Sequence, residues 1–272
     1  MAADYDRAAI DACLAGLPLA AGDIVFSHSN LGFFGRLEGA RTGAEICGAL
    51  AEAILERIAP GGTLAVPTFT YSFSRGEIFD VDDTASKMGS FAEWVRRHPE
   101  ARRSADPFYS VAAMGARAVA MTADAPENSF GPGSFFDRFT KAGGKILNMN
   151  FDAGSTLIHY AERELRVPYR FDKTFRGIIR EKGIERAAKA TIWVRYLSDD
   201  ALIAAFEPFA ALARDRGVFV TRPLGRGEIG VITARDTFEL IRTTLPVRPW
   251  FLTRAEGLGV TNPRIVAEAV AS

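Results

Sequence analysis

Three histidines occur among 272 residues, and one of them stands where it could do chemistry. In the stretch FDAGSTLIHYAERE, residues 151–164, His159 precedes Glu162 by three positions. On a helix, positions i and i+3 share a face. A carboxylate placed there can accept the proton of one ring nitrogen and leave the other free. General-base catalysis requires that second nitrogen to be unprotonated near neutral pH. The plainer alternative is a histidine packed or exposed for other reasons, with an acid beside it by chance. No metal is expected: zinc wants three or four ligands, and the other two histidines have no matching spacing. A serine hydrolase does not fit, because the chain has no Gly-x-Ser-x-Gly elbow.

Three further segments carry polar and aromatic residues in patterns that a core does not need. SHSNLGFFGRLEGART, residues 27–42, lies between an apolar run and a capped helix. Loops at the carboxyl ends of strands form the ligand crevice of open α/β sheets. Here Ser27, Ser29 and Asn30 offer hydrogen-bond donors, and Arg36 offers a fixed positive charge suited to phosphate. Neither a P-loop nor a dinucleotide-binding glycine fingerprint is present. Residues 67–91, PTFTYSFSRGEIFDVDDTASKMGSF, hold five aromatics in one long connection, and long ordered loops are commonly lids or binding loops. Phe69 and Tyr71 are expected to face a ligand there. In RRSADPFYSVAAMG, residues 102–115, two arginines precede Ser104, Asp106 and Ser110, a set able to hold an anion with a carboxylate beside it. Asp152, just ahead of the His159 helix, joins Phe69, Tyr71 and Asp106 as a candidate for contact with a bound substrate.

The elements that must position these residues alternate between helical and strand patterns through the first two thirds of the chain. DIVFSH, TLAVPTFTY and KILNMN read as buried strands. Helix starts are marked by capping boxes at Thr42–Glu45 and Ser90–Glu93, and Ser155 or Thr156 can cap the His159 helix. This βαβ-like order predicts an α/β fold: a three-layer, mostly parallel or mixed sheet flanked by helices. From about residue 174 the texture changes, and two strands around Lys182–Gly183 predict an antiparallel hairpin elaboration in the C-terminal third. A second tight turn is expected at residues 224–227. No linker or repeat divides the chain, so residues 1–272 are read as one domain.

Composition narrows the function classes. Lys and Arg total 33, as do Asp and Glu, which leaves no basic footprint for nucleic acid or an anionic membrane. The two cysteines, Cys13 and Cys47, sit in apolar helical stretches and read as buried thiols of a reducing compartment. The opening residues carry Asp4, Asp6 and Asp11 where a signal peptide would be basic and then apolar, and no run of 18 apolar residues follows. A soluble, cytoplasmic protein is expected. The segment LPVRPWFLTRAEGLGV, residues 245–260, carries aromatics suited to a homodimer contact.

Taken together, GDIVFSHSNLGFFG, GGTLAVPTFTYSF, SKMGSFAEWVRRHPEARRSADPFYSVAAMG, SFGPGSFFDRFTKAGGKILNMN and STLIHYAE resemble, in this order, the antibiotic N-acetyltransferase family typified by aminoglycoside 3-N-acetyltransferases. The likeness spans roughly residues 20–170. It implies an acyl-CoA co-substrate, acetyl or longer, and a small-molecule amine acceptor on a sugar or aminocyclitol. It also implies His159 as the base, oriented and made more basic by Glu162. By the same resemblance, His28, Ser29, Asn30, Gly35 and Arg36 lie against the coenzyme. Arg103, Ser104, Pro107 and Ser110 lie near donor and acceptor. In the expected reaction, backbone or hydroxyl groups of the 27–31 loop would meet the developing oxyanion. Two departures stand out. Asp106 occupies a place where the family has His or Asn, and the chain is neutral, whereas enzymes acting on polycations gain from an acidic surface. The leading expectation is therefore acylation of a nucleotide-linked amino sugar. An aminoglycoside acceptor is the alternative, followed by an acyl-CoA thioesterase and a non-catalytic acyl-CoA-binding protein.

Overall fold

The computed structural model describes residues 3–266. Along the chain these form α1 (Arg7–Ala15), β1 (Ile24–Ser29), α2 (Gly43–Arg57), β2 (Thr63–Pro67), β3 (Phe79–Asp80), α3 (Ser90–Arg97), β4 (Arg102–Arg103) and β5 (Val111–Gly115). Then come α4 (Ala118–Thr122), α5 (Phe135–Lys141), β6 (Lys145–Met149), α6 (Leu157–Glu164), β7 (Arg170–Glu181) and β8 (Ile184–Arg195). The last elements are α7 (Glu207–Asp215), β9 (Val220–Leu224), β10 (Gly227–Thr233), α8 (Ala234–Thr244) and α9 (Arg254–Leu258).

Strands without a polar face need cover on both sides, and β1, β2 and β6 occupy the middle of a seven-stranded sheet of order β4-β5-β2-β1-β6-β10-β9. β1 pairs in parallel with β2 and β6, while the outer pairings are antiparallel. The sheet is thus mixed rather than mostly parallel. Length explains part of this: only Gly225 and Arg226 separate β9 from β10, far too few for a parallel crossover. Helices cover both faces, giving three layers. On one face Phe26 of β1 is fully buried against Phe135, Phe136 and Phe139, with ring centroids 4.9, 6.0 and 5.9 Å away. On the other, Val25, Leu64 and Leu147 pack with Leu14 of α1 and Leu50 and Ile54 of α2.

Helix starts follow the sequence only in part. α2 carries the expected box, with Thr42 and Glu45 bonding each other's backbone. α3 does not: Gly89 is its cap and Ser90 already its first helical residue. Glu93 instead accepts from the Ser86 backbone and the guanidinium groups of Arg96 and Arg97, charge-assisted bonds that outcompete a neutral cap. α6 also starts without a side-chain cap, because Thr156 takes helical angles and neither it nor Ser155 bonds the first turn.

β7 and β8 pair along their full 12-residue lengths. Their turn, Lys182–Gly183, has φ +50° and +78°, the pair of positive values a two-residue hairpin turn with the right twist requires. β3 adds to β7 in parallel, and Phe73, Phe79, Phe108 and Ile179 form a separate apolar cluster there. Residues 245–260 differ from expectation. Phe251 and Leu252 are fully buried, and half-buried Trp250 donates its indole N–H to the Thr261 carbonyl. The exposed apolar side chains of this segment are Val247 and Leu258, so it offers no aromatic patch for a homodimer. Among the described residues no helix is long and apolar enough to cross a membrane.

Candidate active site

β1 has a parallel neighbour on each side, one joined through α2 and the other reached much later in the chain. Such a switch point leaves a crevice beyond the carboxyl ends of the strands. β1 delivers His28, Ser29 and Asn30 to it, β6 delivers Asn148, and α6 runs beside it with His159 and Glu162.

His159 Nδ1 lies 2.7 Å from Glu162 Oε2. The carboxylate is fully buried; its Oε1 accepts the Tyr169 hydroxyl at 3.0 Å, and Arg170 Nε stands 2.9 Å from Oε2 as an ion-pair contact. Burial opposes ionisation of Glu162, but the charges of Arg170 and His159 and the bonds from His159 and Tyr169 hold its carboxyl below the ordinary value. For His159, burial and the Arg170 charge together outweigh the pull of Glu162, and the ring titrates below its ordinary 6.5. It is neutral at pH 7. Glu162 thus orients the ring and favours its protonated form, but burial first and the Arg170 charge second outweigh that pull. With Nδ1 on Glu162, Nε2 has no partner among the described residues, and the side chain keeps 17% exposure. Phe130 and Phe206 flank the ring, with centroids 6.2 and 5.6 Å away.

Two hollows meet near this ring. One, of about 420 Å³, is lined by His28, Phe151, Gly154, Ser155, Ala204 and Phe206. It continues past Phe151 and Asp152 into a second space of about 370 Å³ bordered by Phe33, Arg214 and Arg226. The other, of about 440 Å³, lies on the hairpin side and includes Tyr109, Arg170, Trp193 and Arg195; Ala204 borders both. Ser155 Oγ is buried beside the first hollow without a partner, and the His28 ring meets only the Asn148 side chain there as a polar partner among the described residues. Unmet groups of this kind in a folded interior call for a ligand or water. Burial pushes the His28 ring down to about 4, so it too is neutral and brings one N–H donor.

The remaining expected residues divide sharply. Ser29 is half-buried and Asn30 exposed at the mouth of the first hollow, where the Asn30 carbonyl accepts from Asn150 Nδ2 at 2.9 Å. Gly35 has φ +87°, and a Cβ there would collide with the Asp4 carboxylate and the Arg226 guanidinium, so its place is explained by the close approach of the N-terminal segment. Arg36 is exposed, with its backbone N–H given to Asp4 at 2.7 Å. Asp152 is exposed and shared between the Ala153 backbone and Arg214.

Segment 102–110 builds structure rather than an open anion site. Arg103 Nε donates to Thr68 Oγ1 and Ser110 Oγ, both 3.2 Å away. Its Nη1 donates to the carbonyls of Val81 and Thr84, and its Nη2 to that of Thr68. The guanidinium also lies 4.9 Å from the Phe79 ring centroid. Ser104 Oγ accepts the Val111 N–H at 2.9 Å, and Ser110 Oγ donates to the Thr68 carbonyl at 2.7 Å; both serines are buried. The buried Asp106 accepts the N–H groups of Phe108 and Tyr109 at 2.9 and 2.8 Å. These contacts leave no free anion-binding group where Arg103, Ser104 and Ser110 were expected to meet the coenzyme, and Asp106 shapes the turn that presents Tyr109. Phe69, expected on the ligand, is in the core edge-on to Tyr109 at 5.0 Å, whereas Tyr71 is 47% exposed. The site residues that sequence reasoning missed are Tyr109, Asn148, Tyr169, Arg170 and Phe206. Arg170 had a usable signal: a buried carboxylate beside a neutral imidazole needs a cation to stay ionised.

A family model described as aminoglycoside 3-N-acetyltransferase matches residues 26–246. Aminoglycoside N(3)-acetyltransferase VII of Streptomyces paromomycinus is 30% identical over 256 residues, covering 82% of this chain and 83% of that protein. Among solved structures, AAC-IIIb in binary complex with CoASH superposes with a TM-score of 0.75 at 23% identity, covering 89% of this chain and 97% of that one. AAC-VIa bound to sisomicin gives a TM-score of 0.75 at 24% identity, with 90% and 98% covered. Both structures share the fold.

Proposed function

The chain belongs to the aminoglycoside 3-N-acetyltransferase family, and on that premise we propose that it moves an acetyl group from acetyl-CoA to an amine of an aminoglycoside-type amino sugar. The observation that carries this is His159: a neutral ring, held through Nδ1 on a buried carboxylate, with Phe206 and Arg170 beside it lining two hollows that share Ala204. The relatives are named for aminoglycosides, so the expectation of a nucleotide-linked amino sugar gives way to its alternative.

The first hollow suits the donor. Phe151, Ala204, Ala205 and Phe206 give it apolar walls for an acyl-pantetheine arm, and Arg214 and Arg226 border its continuation, where phosphates would lie. His159 Nε2 takes a proton from the acceptor's ammonium, directly or through one water. Nitrogen then bonds to the thioester carbonyl carbon, and the N–H of neutral His28, which lines the first hollow, is the donor for the developing oxyanion. As the carbon–sulfur bond breaks, His159 returns its proton to the departing sulfur, and the nitrogen's second proton goes to solvent. No covalent enzyme intermediate is needed, and positioning both substrates supplies much of the acceleration.

The test is thiol release from acetyl-CoA with sisomicin and with no amine. Release is expected only with the amine, and His159→Ala should lower kcat by about 10²- to 10⁴-fold at an unchanged Tm. Equal release without amine would make the protein a thioesterase. Undiminished transfer by folded His159→Ala would remove the base from this residue.

A further inference from the structure

The hairpin-side hollow has a charge that the aminoglycoside class does not explain. Arg170 and Arg195 line it together with Tyr109, Phe175, Trp193 and Lys173, the last engaged with a partner of its own, and no carboxylate side chain is among the described lining residues. Acids near it are already committed, among them Asp106, which accepts the Phe108 and Tyr109 N–H groups. Glu162 lies behind Arg170 and is shared with His159 and Tyr169, while Asp172 is held two-pronged by Arg163, with both contacts at 2.9 Å. Arg195 gives Nη1 to the Tyr196 carbonyl and meets no carboxylate among the described residues. Trp193 is 5% exposed, and its indole N–H is buried without a partner. Donors of both kinds, charged and neutral, thus converge on one space. The whole hairpin, residues 170–195, carries eight basic side chains against three acidic ones. A ligand with several ammonium groups would be repelled there, whereas planar guanidinium groups match carboxylate and phosphate oxygens.

We propose that this hollow is an anion subsite for the acceptor, so that the preferred substrate is an amino sugar bearing a carboxylate or phosphate near the reacting amine. This rests on the acetyl-transfer reading, with the donor on the His28 side, and changes only the charge of the acceptor. An anion held against Arg195 and Arg170 would sit beside Glu162, the carboxylate whose Oε2 Arg170 shares with His159.

The experiment compares kcat/KM for thiol release from acetyl-CoA with glucosamine 6-phosphate, 2-amino-2-deoxyglucuronic acid, glucosamine and sisomicin, using the full chain and Arg195→Gln. At least one anionic acceptor should exceed glucosamine by about tenfold or more, as charge-assisted bonds allow. That advantage should shrink with added salt and collapse in Arg195→Gln. The phosphate and uronate arms tell which anion is read. If sisomicin or glucosamine matches or exceeds both anionic amines, the subsite is refuted while acetyl transfer stands. A raised KM for acetyl-CoA in Arg195→Gln, with the acceptor ratios intact, would assign the hollow to coenzyme phosphates and overturn the proposal. Silence with every amine would overturn both readings.

Discussion

Arg103 and Arg170 both turn a guanidinium inward, and they do opposite things. Arg103 meets only neutral oxygens, two hydroxyls and three carbonyls from residues 68–110. Burial, reinforced by the nearby charge of Arg96, pushes it down to about 9. It ties the 68–84 segment to the sheet and reaches no reacting atom. Arg170 faces a buried carboxylate instead, and through it sets the protonation of the base. A cation among neutral acceptors is a strut, whereas a cation opposite an ionised group becomes part of an electrostatic circuit.

That contrast can be broken by exchanging what each arginine touches. Arg170→Gln should have the largest effect, because Glu162 would remain buried without its cation; loss of one partner of such a pair costs about 3–5 kcal/mol, read as a lower denaturation midpoint. The same change removes a charge that disfavours His159 protonation. The acid limb of the kcat–pH profile, lying below 6.5 in the native chain because the ring's pKa is lowered, should move up. Glu162→Gln should move that limb further down, since the group that favours the protonated ring disappears while Arg170 stays. An Arg170→Gln profile that fails to rise would remove this arginine from the circuit. Arg103→Ala should cost about 2–3 kcal/mol of stability and leave the acid limb where it was; a shifted limb would erase the distinction between the two arginines. Asp106→Asn should be smallest. Burial raises the Asp106 pKa, so its ionisation penalty is absent below the unfolded value and complete above the folded one. Asn can accept the same two backbone N–H groups without that penalty. Stability near pH 7 should stay within about 1 kcal/mol of native or rise slightly, and urea midpoints at pH 4 and 7 would show whether the gain grows with pH.

Local patterns were the legible part of this molecule. The His159–Glu162 spacing, the Thr42–Glu45 box, the Lys182–Gly183 turn and the apolar strands each depend on residues a few positions apart. What stayed hidden depends on partners brought together by folding. Arg170 reaches Glu162 across the end of α6 and a turn, and no periodicity marks that meeting. Phe69 and Tyr71 alternate in the same way whether the inward side is core or ligand, and only packing against Tyr109 separates them. Ser104, Asp106 and Ser110 have the composition of an anion site, yet their oxygens are engaged by backbone groups of the same short segment. The outer antiparallel strands β4 and β9 could not be ordered from pattern alone, because nothing in a five-residue or two-residue run says which edge it joins.

The hairpin has a consequence for how this scaffold can be altered. β7 and β8 form a long ribbon closed by a two-residue turn, and their inner ends line the hairpin-side hollow without contributing His159. Such a ribbon is a detachable fixture. On the proposed reading, residues beyond Arg170 could be exchanged to retune what is acylated, while Tyr169 and Arg170 hold Glu162, and through it the His159 ring, in place.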